Sequence, residues 1–217
     1  MTTKKITTLL PNTTDDISGC DLFINYLNKE NILVNSSNAI KHYQCKENDN
    51  YNVMQEELNY ALECLATGGK SSQCAKDGES IYGCIDDLDY NDLLNDLDIE
   101  FTSSAYTFSS DSVVYKGIDS KVYYKKLQPH KLKKGDTIII NTFFSTSVSR
   151  GKASTYGNTL LIINGLDKVK SIIPPVTSIP NAGSNTCEQE VLINRGFGMR
   201  VTEISGNYIN LTIERAI

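Results

Sequence analysis

Near residue 100 the hydrophobic pattern of this 217-residue chain changes its period, and that change limits the architectures open to it. Upstream, Leu22, Phe23, Tyr26 and Leu27 recur at helix-face spacing over residues 15–34, behind Asp15 and Asp16, which suit a helix start. Met54, Leu58, Ala61, Leu62 and Leu65 line one face of a second helix over 52–66, closed by Gly68-Gly69. Residues 68–84 read as a loop, and Leu88, Leu93, Leu94 and Leu97 predict a short helix over 86–100. Downstream, Val113–Tyr115, Thr137–Asn141 and Leu160–Ile163 are β-branched and apolar runs of strand length. The 199–204 run and the alternating Ile209, Leu211 and Ile213 flank Ser205-Gly206-Asn207, which predicts a hairpin. Helices first and strands second point to an α+β protein rather than to alternating βαβ units. Residues 1–105 are expected to pack as a helical part on a β core of residues 106–217, one compact domain overall.

Charge and composition remove several function classes. A net charge of −5 and a pI near 5.1 argue against a general binder of nucleic acid or anionic membrane. No apolar run reaches the roughly 18 residues that span a bilayer. The opening MTTKKITTLLPN is too short and broken for a secretory signal. Six cysteines without a CxxC pair and only two histidines, His42 and His130, give no metal-site spacing. Buried free thiols are the simpler reading, with disulfides among the first five cysteines left open. Residues 86–100 hold seven carboxylates and no basic residue, while 116–134 hold seven lysines. Neither a dinucleotide GxGxxG nor a phosphate-loop motif is present.

Three short elements of the β half carry chemistry in combination. The first is Val113-Val114-Tyr115-Lys116-Gly117, the second Phe143-Phe144-Ser145-Thr146-Ser147, and the third Glu188-Gln189-Glu190 running into Val191-Leu192-Ile193. Alternation along a strand sends Glu188 and Glu190 to one side, where two carboxylates can address neighbouring atoms.

In order, spacing and flanks these elements resemble the mono-ADP-ribosyltransferase superfamily, in its Arg, Ser-Thr-Ser and Glu-x-Glu branch. The resemblance covers about residues 106–215 and is most specific in EQEVLINRGFGMRV. It implies a two-sheet mixed β core behind N-terminal helices, with a cleft that folds NAD. NAD is then a substrate, no metal is required, and the reaction is transfer of ADP-ribose to a target protein by a monomeric enzyme. Glu190 would stabilise the oxocarbenium-like ribose, held in position by Ser145. Glu188 would address the acceptor, favouring arginine, with Ser or Thr (for example on ubiquitin) as the alternative. Tyr115, Lys116, Gly117, Thr146, Ser147 and Tyr156 would form the NAD pocket. Gly117 would let its backbone approach the nicotinamide amide, and residues 176–187 would help recognise the acceptor. Lys116 stands where the branch has arginine, exchanging a planar fork for a compact charge. Arg150 is a candidate to share the phosphate work.

Two further readings accompany the transferase. One is an NAD glycohydrolase, with water as acceptor. The other is a catalytically dead module that binds a protein through its acidic helix or its lysine-rich segment. The expected setting is that of a secreted or injected effector acting in a host cytosol.

Overall fold

The computed structural model describes residues 3–44, 58–60, 62–63, 66, 90–119, 127–176 and 189–217. Among these, α1 spans Ile17–Lys29, α2 Asn38–Gln44, α3 Tyr90–Ser103 and α4 Arg150–Ser154. The strands are β1 (Lys4–Lys5), β2 (Tyr106–Thr107), β3 (Val114–Ile118), β4 (Thr137–Ile140) and β5 (Phe144–Ser147). They continue with β6 (Thr159–Asn164), β7 (Ser171–Ile172), β8 (Glu190–Ile193), β9 (Phe197–Ser205) and β10 (Tyr208–Ala216).

Local chemistry explains the helix limits. Asp16 caps α1 by accepting the Gly19 amide at 2.9 Å and the Thr14 hydroxyl at 2.6 Å. These two bonds, the Thr14 hydroxyl first, hold the Asp16 carboxyl below its ordinary value. Phe23 and Leu27, four apart, give α1 its buried stripe. The expected helix over 86–100 is found as α3, from residue 90; residues 86–89 lie outside the described residues. Of the helix expected over 52–66, the described residues 58–60, 62–63 and 66 are helical.

The strands pair in the order β1-β2-β7-β8-β5-β3-β6-β10-β9-β4. Two expectations are corrected here. The first is that of two sheets: the strands form a single ten-stranded mixed sheet, because β3 joins β5 through one residue pair, Tyr115 opposite Ser147. That pair connects a half whose strands reach at most four residues, β1-β2-β7-β8-β5, to a half whose strands reach nine, β3-β6-β10-β9-β4. The second concerns the first hundred residues, which do not serve only as helices: β1 runs parallel to β2 at the sheet edge. The predicted hairpin is present as β9 and β10, turning at Gly206 with φ of 57°. Gly tolerates that left-handed conformation without a steric penalty.

Apolar side chains divide into two clusters. The larger joins Phe23 and Leu27 of α1 to Val114, Phe144, Leu161, Val191, Ile193, Val201 and Ile209. The smaller packs Ile40 and Tyr43 of α2 and Leu93, Leu97 and Phe101 of α3 against Phe143, Ile172 and Leu192. Strand β8 is therefore buried on both faces, which is why its sequence is a continuous apolar run rather than an alternating one. Cys20 is disulfide-bonded, correcting the free-thiol reading for this residue; the other five cysteines lie outside the described residues.

Candidate active site

The three motifs, more than 70 residues apart at their extremes, lie on adjacent strands β3, β5 and β8. Register aligns Tyr115 with Ser147 and Ser147 with Glu190, so one row crosses all three strands. Residues directly opposite each other share a face. Ser145, two residues before Ser147, pairs with Leu192 and is the diagonal neighbour of Glu190 on that face. Ser145 and Glu190 are both half-buried.

The residues between them serve the opposite face and the backbone. Thr146 is buried and its hydroxyl donates to the Val191 carbonyl at 2.6 Å, closing β5 onto β8. The Lys116 ammonium donates to the Ser145 carbonyl at 2.8 Å and lies 4.9 Å from the Phe144 ring centre. The cation of the first motif is thus fastened to the backbone of the second. A Cβ on Gly117 would meet the Ala153 carbonyl oxygen at 2.0 Å, and one on Gly157 the Ile118 carbonyl carbon at 2.1 Å. The glycine of the first motif is required by the backbone of α4 lying against β3.

Strand β5 passes into α4 through a chain of hydroxyls. Ser147 accepts the Ser149 amide at 3.1 Å, and Ser149 in turn caps α4 by accepting the Lys152 amide at 3.2 Å. Beyond α4, Tyr156 is half-exposed, with the Lys152 ammonium 5.3 Å from its ring centre. The Arg150 guanidinium stacks over Tyr208 at 5.1 Å.

Glu190 is held by a residue that sequence reasoning did not select. Gln44, the last residue of α2, donates its Nε2–H to Glu190 Oε2. The middle residue of the third motif, Gln189, is fully buried. Its oxygen accepts the Thr13 hydroxyl and its nitrogen donates to the Thr14 carbonyl at 2.6 Å. Val148 completes this clasp, its amide donating to Gln189 O at 3.1 Å. The N-terminal segment therefore straps the strand that begins with Glu190. Gln189 stood in the sequence only as the middle residue of the Glu-x-Glu motif, and Gln44 carried no signal.

Glu188 and residues 177–187 of the expected acceptor loop lie outside the described residues, as do 120–126 of the lysine-rich segment. From the acidic run, Asp98 forms a two-pronged ion pair with Arg195, at 3.2 and 2.6 Å, which fixes α3 to the β8–β9 turn. Among the described residues no group of three or more His, Cys, Asp or Glu side chains is placed to hold a metal ion. Nor is any helix among them long and apolar enough to cross a membrane.

No protein-family model and no curated protein matches the sequence. Solved structures do match the fold. The C3 exoenzyme of Clostridium limosum is 16% identical, covering 94% of this chain and 98% of its own, with a TM-score of 0.57. Plx2a, an ADP-ribosyltransferase toxin of Paenibacillus larvae, is 13% identical over 93% of this chain and 99% of its own, with a TM-score of 0.54. The ADP-ribosyltransferase Vis of Vibrio splendidus, solved with agmatine, is 16% identical over 91% of this chain and 82% of its own, with a TM-score of 0.53. At these identities the likeness is one of fold.

Proposed function

From a chain with the ADP-ribosyltransferase fold, we propose an NAD-dependent mono-ADP-ribosyltransferase that moves ADP-ribose from NAD to a side chain of a target protein. The observation that carries this reading is the row Tyr115–Ser147–Glu190, with Ser145 diagonal to Glu190 on the same face. It supports a site in which a carboxylate, hydroxyls and an aromatic ring converge from three separate motifs.

In the reaction, the bond between ribose C1′ and the nicotinamide nitrogen breaks, and its electron pair leaves with nicotinamide. Positive charge develops on C1′ and the ring oxygen, and the Glu190 carboxylate stabilises it while accepting a hydrogen bond from the 2′-hydroxyl. Ser145 limits the carboxylate's freedom. Lys116 is assigned to the diphosphate, a role in which its ammonium leaves the Ser145 carbonyl and the Phe144 ring for the phosphate oxygens. Tyr115, Gly117, Ser147 and Tyr156 border the nucleotide, and Thr146 keeps β5 and β8 together. The acceptor nitrogen or oxygen then bonds to C1′ and loses its proton, a transfer assigned to Glu188. Arginine is the favoured acceptor, since a carboxylate can orient and deprotonate a guanidinium; the guanidine-bearing agmatine in the Vis structure accords with that choice. The target is assigned to a host cell into which the protein is delivered.

The test is nicotinamide release from NAD by the purified protein, with and without cell lysate, beside Glu190→Gln. Release should require lysate protein and fall at least about 10²–10³-fold in the variant, the scale of losing a charge-stabilising group. Equal release without lysate would assign the chain to NAD hydrolysis instead. Failure of NAD to bind or be cleaved would overturn the enzyme reading.

A further inference from the structure

Gln44 presents a combination that packing alone does not explain. It closes α2, 146 residues from Glu190 in sequence, and is only 9% exposed. Its amide nitrogen donates to Glu190 Oε2, while its buried amide oxygen has no hydrogen-bond partner among the described residues. An unpaired buried acceptor is unfavourable, so the orientation of this amide is governed by the one contact that offsets it. That contact is a charge-assisted hydrogen bond to a carboxylate. Turning the amide over would face oxygen to oxygen and repel Glu190.

The element that delivers Gln44 is rigidly seated. The preceding residue, Tyr43, is fully buried, meets Phe143 edge-on with ring centres 5.7 Å apart, and accepts the Asn59 amide at 3.1 Å. Ile40, one turn earlier, is also fully buried. Tyr43, Ile40 and Phe143 share the cluster that contains Leu192, which lies on the Glu190 face of β8. The last residue of α2 is thus fixed relative to the first residue of β8 by a common apolar block.

We propose that Gln44 is a positioning residue for the reaction, holding Glu190 Oε2 and thereby fixing the orientation of the carboxylate. This rests on the assignment of Glu190 as the catalytic carboxylate. Gln44 acts through Glu190 and does not touch the acceptor. The energetic logic is that of an outer residue that orients a ligand-contacting group, where removal costs turnover more than binding.

The experiment measures kcat and KM for NAD, by nicotinamide release, together with thermal melting, in the wild type, Gln44→Met and Gln44→Glu. Methionine keeps the volume and removes the donor; glutamate keeps the shape and replaces the donor with a second carboxylate. Both should lower kcat about 10–100-fold, with KM for NAD within about threefold and melting within a few degrees of wild type. A kcat within about twofold of wild type in both variants would overturn the proposal, as would a loss confined to KM. If Gln44→Met fails to fold, the glutamate variant alone decides by the same criteria. A wild type that does not cleave NAD overturns the functional reading and this inference with it. A cleaving wild type matched by its Gln44 variants overturns only the inference.

Discussion

The two halves of the sheet are built on different terms. In the half β3-β6-β10-β9-β4 the strands run to nine residues and hold one another through long ladders, as in the eight residue pairs between β9 and β10. In the half β1-β2-β7-β8-β5 no strand exceeds four residues. There the backbone ladder is supplemented by side chains from outside the sheet: Gln189 on Thr13 and Thr14, Gln44 on Glu190, and Arg195 on Asp98. Ser145 and Glu190 both belong to this second half. A site assembled from short strands owes its geometry to tethers from elsewhere in the chain, while the long-stranded half supplies apolar burial.

Substitutions should therefore separate stability from turnover. Ile209→Ala, at a fully buried position near the start of β10, should cost about 2–5 kcal/mol. Chemical denaturation measures it, and kcat of the folded fraction should match wild type. A large kcat loss there would break the contrast between the halves. Gln189→Leu removes the side-chain bonds of the clasp and takes the Gln189 partner from the Thr13 hydroxyl and the Thr14 carbonyl, costing about 1–3 kcal/mol. Unlike Ile209→Ala, it should also lower kcat, because the strand that starts at Glu190 loses its strap; steady-state kinetics beside melting would sharpen the comparison. The smallest effect belongs to Asp16, whose carboxyl lies below its ordinary value because of Thr14 first and Gly19 second. A depressed folded value means its contribution is present above pH about 4. It disappears as pH falls through that depressed value. Asp16→Asn should flatten this part of the stability curve below pH 4, read by melting across pH, with no change in turnover at neutral pH.

What was legible in the sequence follows the same division. The long strands announce themselves by alternation, so β9 and β10 with their turn at Gly206 could be placed before any coordinates. The three motifs were equally visible, being local runs. The union of the sheet was not, because it rests on the single pair Tyr115 and Ser147, a register detail that no local pattern encodes. Gln44 and Thr13 were invisible for a related reason: each meets its partner across 146 and 176 residues of chain. Gly117 was singled out for its lack of a side chain, as an approach to nicotinamide; the structure adds a neighbour that uses the space, the carbonyl of Ala153. The free-thiol reading of Cys20 failed because pairing partners are a matter of three-dimensional proximity.

The joint between Tyr115 and Ser147 has a mechanical consequence. A sheet whose ladder narrows to one residue pair has a line of parting, since separation there breaks few hydrogen bonds and leaves the ladders on either side whole. The β2–β7 joint, Tyr106 opposite Ser171, is as narrow but frees only the two edge strands, whereas parting at Tyr115 and Ser147 divides the sheet into its two halves. The seam cuts the candidate catalytic row between Tyr115 and Ser147, and what bolts it from outside is the Lys116 ammonium on the Ser145 carbonyl and the close seating of α4 on Gly117.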